Sequence, residues 1–315
     1  MNNRDYIKNS RVLLLGSTGF IGSHILEELI NRLAIIVLPV RNISSLPEKI
    51  LRFTNHKSVT FIDYDAFIKD PLNFDCDFII NALGYGLEPT NRNFLEMFYI
   101  NSFLPVLLMD KLQDNSTCMV HLGSGSEYLS SNGNKPYIEE DKKTDKGLYA
   151  LSKKFSSEYL KEVASNISMP IVSIRLFNVF GPGEKQHRLF PSIYSKLSKN
   201  EEVNLSDGNQ ICDFLFIKDA VNAILHVANV CKRKNLIDEV NICSGEGISV
   251  KDFAENVAKK MNVDCNLLKF GKIPRRDTDN EMFVGNADKL LRVYGWKKKY
   301  NINSGIDKYI EHLIK

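Results

Sequence analysis

The stretch Val12-Leu-Leu-Leu-Gly16-Ser-Thr-Gly19-Phe-Ile-Gly22 decides the fold. Four apolar residues in a row read as a strand that buries both of its faces. Glycines follow at three-residue spacing, and an amphipathic run opens at Phe20. Glycine at such positions allows a tight turn, a close approach of backbone to ligand, and helix–strand contact with no Cβ in between. A helix starting near Phe20 then presents its unpaired N–H groups and the positive end of its dipole, an arrangement that suits phosphates. Strand, glycine-rich turn and helix in that order form the context that a dinucleotide-binding fingerprint requires.

Further apolar runs occupy Ala34–Val40, Val59–Ile62, Phe78–Ala82, Met119–Leu122 and Ile171–Phe177. Between them, Phe20–Arg32, Phe94–Leu112 and Tyr149–Ala164 carry apolar residues at three- and four-residue intervals, as helices do. This alternation predicts an α/β fold built on a doubly wound parallel sheet, with right-handed crossovers. After Gly181-Pro182-Gly183 the rhythm changes. Helical patterns at about 188–199, 219–230, 249–262 and 303–314 alternate with short extended runs near 203–206, 213–217 and 239–243. The expected organisation is a dinucleotide-binding domain at 1–180, rejoined by a strand and helix from about 210–243, and a smaller C-terminal α/β substrate lobe at 181–315. Ser130–Gly147, rich in Ser, Asn, Asp and Lys, reads as a surface loop beside the site.

Composition narrows the function classes. In 315 residues, 43% are apolar and 25% charged, which excludes wholesale disorder, collagen-like repetition and coiled-coil rods. A net charge of +3 is too small for an electrostatic nucleic-acid footprint. Apolar runs such as Leu33–Val40 are too short to cross a membrane. The polar start Met1-Asn-Asn-Arg-Asp-Tyr-Ile-Lys8 predicts no export signal. Six scattered cysteines without a C-x-x-C or a His-flanked cluster predict reduced, mostly buried thiols, no metal site and a cytoplasmic location.

The second strand bears on the dinucleotide. A carboxylate at its end would grip the ribose of NAD, whereas an arginine would receive the 2′-phosphate of NADP. Leu38-Pro39-Val40-Arg41-Asn42 has no acid there, so Arg41 favours NADP(H); the alternative is a solvated Arg41 beside a neutral NAD(H) pocket. Asp63 and Tyr64 end the third strand over the adenine edge, unless Asp63 serves only as a helix N-cap or turn residue.

Tyr149-Ala-Leu-Ser-Lys153 sets a phenol and an ammonium one turn apart on one helix face. A nearby ammonium favours the phenolate and lowers the tyrosine pKa, making it usable for acid–base work. On spacing alone such a pair is common on solvated helix surfaces, and that reading would prevail. Met119-Val-His-Leu-Gly-Ser124 changes the balance, because it ends a predicted parallel strand in a hydroxyl, where ligands sit in such sheets. Ser124 could hold a substrate oxygen while Tyr149 delivers its proton. His121, inside that strand, reads as a buried, hydrogen-bonded core histidine.

With these residues in place, the chain resembles the extended short-chain dehydrogenase/reductase family, in its branch of nucleotide-sugar epimerases, dehydratases and 4-keto reductases. The match runs through Gly16/Gly19/Gly22, Ser124, Tyr149/Lys153, Arg175-Leu-Phe-Asn-Val-Phe-Gly-Pro182, Asp213-Phe-Leu-Phe-Ile-Lys-Asp219, Asn241-Ile-Cys-Ser-Gly-Glu246 and Pro274-Arg-Arg276. The resemblance implies a Rossmann-type sheet and a Ser124/Tyr149/Lys153 centre. It also implies a nucleoside-diphosphate sugar bound between the lobes. Cofactor contacts would come from Gly16, Thr18, Gly19, Phe20, Ile21, Gly22, Arg41, Asn42, Asp63, Tyr64, Leu83 and Gly84. Tyr149 and Lys153 would reach the nicotinamide riboside, Asn101 would support the geometry, and Phe177 would lie near the nicotinamide or simply pack in the core. Substrate contacts would come from Ser124, Ser126, Asn178, Arg188, Leu189, Asn204 and Arg276, with Asn178 and Arg276 on the diphosphate. The resemblance further implies a homodimer formed through a four-helix bundle of the helices at 94–112 and 149–164.

Departures from the family narrow the reaction. Members that eliminate water across C5–C6 carry an Asp-Glu pair after the catalytic hydroxyl; here Gly125 and Ser126 stand there, which argues against a 4,6-dehydratase. Members that epimerise C3 and C5 use a Cys and a His, at positions matching Ser126 and Arg188, with His187 adjacent. A 4-keto reductase using exchangeable NADPH and a 4-epimerase keeping NAD remain, and Arg41 favours the reductase. Cys212 replaces an arginine that the family uses on the second phosphate, with Arg188 and Lys185 as substitutes. A non-catalytic dinucleotide sensor is a rival of another class; the Tyr149/Lys153 pair with Ser124 argues against it.

Overall fold

A computed structural model describes residues 5–69, 75–86, 93–111, 116–130, 135–275 and 280–314. The chain opens with β1 (Arg11–Leu15), α1 (Phe20–Asn31), β2 (Ile35–Val40), a short α2 (Glu48–Leu51) and β3 (Val59–Asp63). Next come α3 (Tyr64–Lys69), β4 (Phe78–Asn81) and a composite helix of α4 (Phe94–Phe98), a π-helical segment Tyr99–Phe103 and α5 (Leu104–Lys111). β5 (Cys118–Ser124), α6 (Leu148–Ile167) and β6 (Ile171–Leu176) follow. Then come β7 (Asn178–Phe180), α7 (Leu189–Leu197), β8 (Val203–Asn204), β9 (Ile211–Phe216), α8 (Ile217–Lys234) and β10 (Ile237–Ile242). The chain closes with β11 (Gly247–Ser249), α9 (Val250–Lys260), β12 (Leu268–Lys269), β13 (Met282–Phe283), α10 (Asp288–Arg292) and α11 (Ile302–Ile314).

Seven strands form one sheet in the order β10-β6-β5-β4-β1-β2-β3. β1 pairs in parallel with both β2 and β4, Val12 opposite Ile36 and Phe78. β5 and β6 place Gly123 opposite Arg175. β10 runs in the same direction as β6, since Ile171 N–H reaches Leu236 O and Phe177 N–H reaches Ile242 O at equal offset. The order reverses where the chain passes from β3 to β4 across β1, the switch point at which such sheets bind ligands.

The chain divides into two compact units. The first takes residues up to 129, 142–176 and 221–240; the second takes 130–141, 177–220 and 241 onward. In the first unit, Leu13 and Leu15 join Ile79, Met119 and Ile171 against Leu108 of α5 and Leu160 of α6. Val12 and Leu14, on the other face of β1, are buried equally well, so the apolar run covers both faces of its strand. Each such leucine contributes about 1.5–3 kcal/mol relative to an exposed one.

In the second unit, β9 is flanked by β11, β13 and β7. Phe214 stacks on Phe253 at 4.2 Å between ring centroids, and Phe190 on Tyr309 at 3.9 Å. Two buried acids brace it. Asp213 accepts the N–H groups of Ser244 (2.7 Å) and Gly245 (2.9 Å). Asp219 accepts those of Lys299 (3.0 Å) and Tyr300 (2.8 Å). Burial pushes the Asp213 carboxyl up to about 6 despite those bonds.

Two expectations need correction. The region Ser130–Gly147 is not simply a surface loop, because Tyr137, Glu139 and Thr144 are buried. Asn241 binds Tyr137 O through Nδ2 (2.9 Å) and Glu139 Oε1 through its N–H (2.8 Å), so polar residues here serve as internal ties. The helix expected over 94–112 is interrupted by the π-helical segment, which widens one turn; Leu112 lies outside the described residues.

Candidate active site

The glycine turn is built as its spacing requires. Gly16 has φ +76°, and a Cβ on it would stand 2.6 Å from Ala82 O. A Cβ on Gly22 would overlap the carbonyl oxygen of Gly16, so helix and strand meet there only because the side chain is absent. Gly19 is the N-cap of α1 and gives the helix no side-chain cap. Thr18 and Gly19 are exposed, while Phe20 and Ile21 are half-buried. Exposed turn backbone in front of an uncapped helix fits the diphosphate of a dinucleotide.

Lys153 is the most constrained group of the site. Only 2% exposed, its ammonium donates to Leu83 O (2.8 Å) beyond β4 and to Leu122 O (2.9 Å) of β5. Burial brings its pKa down to about 8, and the Glu127 carboxylate opposes that drop. Tyr149 sits one turn earlier on α6, half-buried. Ser124 ends β5, and its Oγ lies 2.8 Å from Ser126 Oγ and accepts the Ser126 N–H at 3.2 Å. Gly84 lies next to this cluster, since a Cβ on it would stand 3.9 Å from Lys153 Nζ.

Asn101 explains the π-helical segment that carries it. Fully buried, it accepts Tyr85 N–H (2.9 Å) and donates to Tyr85 O (2.9 Å) and Ser152 Oγ (3.0 Å). It thereby ties the segment after β4 to the residue next to Lys153. His121 bonds Asn81 Nδ2 and Ser156 Oγ, each at 3.1 Å, through its two ring nitrogens. Burial holds its pKa well below the usual value, with Lys153 adding to the effect, so it is a neutral core group.

Other expected site residues have local roles that the structure makes plain. Asp63 accepts the N–H of Ala66 (2.9 Å) and so caps α3. Asn42 accepts the Ser44 N–H (2.9 Å), and Tyr64 is half-buried. Arg41 is 80% exposed in its side chain and lies 3.9 Å from Glu96. Phe177 packs against Phe283 at 4.8 Å and Tyr137 at 6.5 Å, which is core packing.

In the second unit, Asn178 Nδ2 donates to Asp213 O (3.1 Å). Arg188 is exposed, with Nε 3.9 Å from Glu184 Oε1. Leu189 is half-buried and Asn204 exposed. Backbone groups near Asn204 are engaged: Leu205 pairs with Lys269 and Lys272, and Ser206 O with Gly271. These bonds tie the segment to this unit's own chain. Arg276 lies outside the described residues.

Sequence reasoning missed Glu127. Fully buried, it takes the Ser124 N–H at 2.8 Å with Oε1 and Arg175 Nε at 3.2 Å with Oε2. Arg175 in turn reaches Glu239 Oε2 at 2.6 Å. The signal was available, since Arg175 puts a charge in a mostly apolar strand and such a buried charge needs an acid. Among the described residues, no group of three or more His, Cys, Asp or Glu side chains could hold a metal ion, and no helix is long and apolar enough to cross a membrane.

Known proteins are similar along almost the whole chain. CDP-abequose synthase of Salmonella typhimurium is 27% identical over 308 residues, covering 96% of this chain and 98% of that protein. dTDP-4-dehydro-6-deoxyglucose reductase of Escherichia coli is 21% identical, covering 97% and 98%. Among solved structures, a UDP-N-acetylglucosamine 4-epimerase from Methanobrevibacter ruminantium superposes with a TM-score of 0.85 at 21% identity, covering 98% of this chain and 99% of that one. The family pattern that matches spans residues 12–243, from the first strand of the glycine turn through the Tyr149/Lys153 helix to β10, and on that ground the chain belongs to the NAD dependent epimerase/dehydratase family.

Proposed function

We propose that this chain reduces a 4-keto group on a nucleoside-diphosphate deoxysugar, with NADP(H) as the preferred dinucleotide. A bound nicotinamide dinucleotide supplies the hydride to C4. The chain's residues handle the proton: Tyr149 Oη gives it to the oxygen on C4, Ser124 Oγ hydrogen-bonds the same oxygen, and the ketone becomes an alcohol. The Lys153 ammonium favours the phenolate that Tyr149 leaves behind. One observation carries this reading: Lys153 is buried and clamped by Leu83 O and Leu122 O, one turn from Tyr149 and at the strand end that bears Ser124. A solvated surface lysine would have neither burial nor those partners.

The substrate side rests on Asn178, Arg188, Leu189 and Asn204, with Ser126 beside Ser124 and Arg276 on the diphosphate. The names of the CDP-abequose synthase and the dTDP-sugar reductase support a nucleotide-linked deoxysugar. Cofactor contacts are assigned to the glycine turn with Thr18, Phe20 and Ile21, to Arg41, Asn42, Asp63 and Tyr64, and to Leu83 and Gly84. A second reading, an NAD-retaining 4-epimerase, rests on the alternative in which Arg41, its side chain 80% exposed, is solvated beside a neutral pocket.

The deciding experiment follows NADPH absorbance with a panel of 4-keto nucleotide sugars and identifies any dinucleotide that co-purifies. Stoichiometric NADPH loss with a 4-hydroxy product supports the reductase. Retained NAD, with C4 inversion and no added cofactor, replaces it with the epimerase. The reading also includes a homodimer: Phe94, Leu95, Phe98, Leu148, Phe155 and Tyr159 are exposed on α4 and α6, beside an apolar groove of ≈ 390 Å³. Light scattering is expected to give twice the 35.9 kDa chain mass.

A further inference from the structure

The end of β5 is gripped from two directions. Lys153 Nζ holds the carbonyl of Leu122, and Glu127 Oε1 holds the N–H of Ser124. In a strand, the C=O of one residue and the N–H of the residue two further on point to the same side. The ammonium and the carboxylate therefore address one side of the same strand end. Gly123 makes the room, because a Cβ there would overlap the Glu127 carboxylate and come 3.1 Å from Ile174 O. The turn Gly125–Glu127 is a capping box, in which the Ser124 side chain takes the Ser126 N–H while Glu127 returns to the Ser124 N–H. Behind it, Arg175 occupies the second carboxylate oxygen, lies 5.1 Å above the Tyr128 ring, and is tied to Glu239 of β10.

We infer that Glu127 is a positioning residue for the proton transfer: one carboxylate oxygen fixes Ser124, the other is anchored by Arg175, and its charge lies on the same side of the strand end as the Lys153 ammonium. This rests on the redox reading of the Ser124/Tyr149/Lys153 site. The charged and titratable groups around Lys153 and Glu127 include His121 from β5, Tyr149 from α6, Arg175 from β6, Tyr128 from the turn with Lys143 over its ring, and Glu239 from β10. His121 is neutral, and Arg175 is already shared between Glu127 and Glu239. Glu127 is the carboxylate that sustains the charge on Lys153 against burial.

The test compares Glu127→Gln with Glu239→Gln. Both break one half of the Arg175 ion pair, but only the first removes charge from the Ser124 side. For Glu127→Gln, kcat is expected to fall about tenfold or more with KM changed less than about threefold. The basic limb of its pH profile should move down by about half a pH unit or more, because losing a neighbouring negative charge weakens the ammonium form. Glu239→Gln should lose stability but keep the wild-type limb. Independently of turnover, the carbon-ε NMR signal of Lys153, assigned with Lys153→Met, should titrate at lower pH in Glu127→Gln.

An unchanged lysine midpoint, or Glu127→Gln matching Glu239→Gln in both kcat and limb, overturns the inference. If the wild type turns over no sugar, the redox reading fails, while the lysine titration still decides this one. Should Glu127→Gln not fold, Glu127→Asp replaces it: the charge is kept and the reach shortened, so kcat should fall while the limb stays. A shifted limb in Glu127→Asp would count against the inference.

Discussion

The two units bury charge to different ends. In the first, the buried ions gather at the end of β5, where Lys153 grips Leu122 O, Glu127 grips the Ser124 amide and Arg175 backs the carboxylate. In the second, Asp213 and Asp219 are buried as deeply but take backbone N–H groups, closing the turns at Ser244–Gly245 and Lys299–Tyr300. Of its groups proposed for the sugar, Arg188 and Asn204 are exposed and Asn178 and Leu189 half-buried. A buried charge fixed by several partners is preorganised and cannot be exchanged cheaply, whereas an exposed side chain can. Chemistry should therefore be rigid in the first unit and substrate choice adjustable in the second.

The largest effect that would break this contrast concerns the phenol. Tyr149→Phe is expected to lower kcat by about 100- to 10,000-fold while dinucleotide affinity, read by fluorescence quenching, stays within about threefold. Next comes stability in the second unit. Asp219→Ala leaves the amides of Lys299 and Tyr300 without their acceptor and should cost about 2–4 kcal/mol in denaturant melts, with dinucleotide binding retained.

A pH profile sharpens the first half. Because burial lowers the Lys153 pKa to about 8, the ammonium is charged below that pH and lost above it. Activity is then expected to be level below about pH 8 and to fall about tenfold per unit beyond it. A limb appearing only in the usual lysine range would show that burial does not set it. The smallest effect belongs to the surface: Arg188→Ala should raise the sugar KM about three- to tenfold, leave kcat within about twofold, and leave the melting curve unchanged.

The elements were legible where a physical pattern repeats. Apolar runs mark β1 to β6 because strands buried on both faces favour that composition, although the edge strand β3 is only partly buried. The Gly16/Gly19/Gly22 turn and the Tyr149/Lys153 pair were legible because spacing alone fixes which groups share a face. Asn101 was placed on a helix, but its inward turn depends on one widened turn at Tyr99–Phe103, which apolar periodicity does not register. Tyr137 and Glu139 were hidden in a stretch whose polar composition resembles a loop, although their partners on Asn241 make them internal. Glu127 was hidden for a similar reason, amid Gly-Ser-Gly-Ser, where only its distant counter-ion Arg175 betrays it.

The chain passes from one unit to the other after residues 129, 141, 176, 220 and 240. A single proteolytic cut cannot release either unit intact, and a truncation near 180 would remove β10 and strip the edge of β6, whose six residues are all buried. Recombination could not transplant the second unit as a cassette, because every junction would have to be matched at once. In a lineage with this threading, new substrates come from changes within the second unit while the frame is kept.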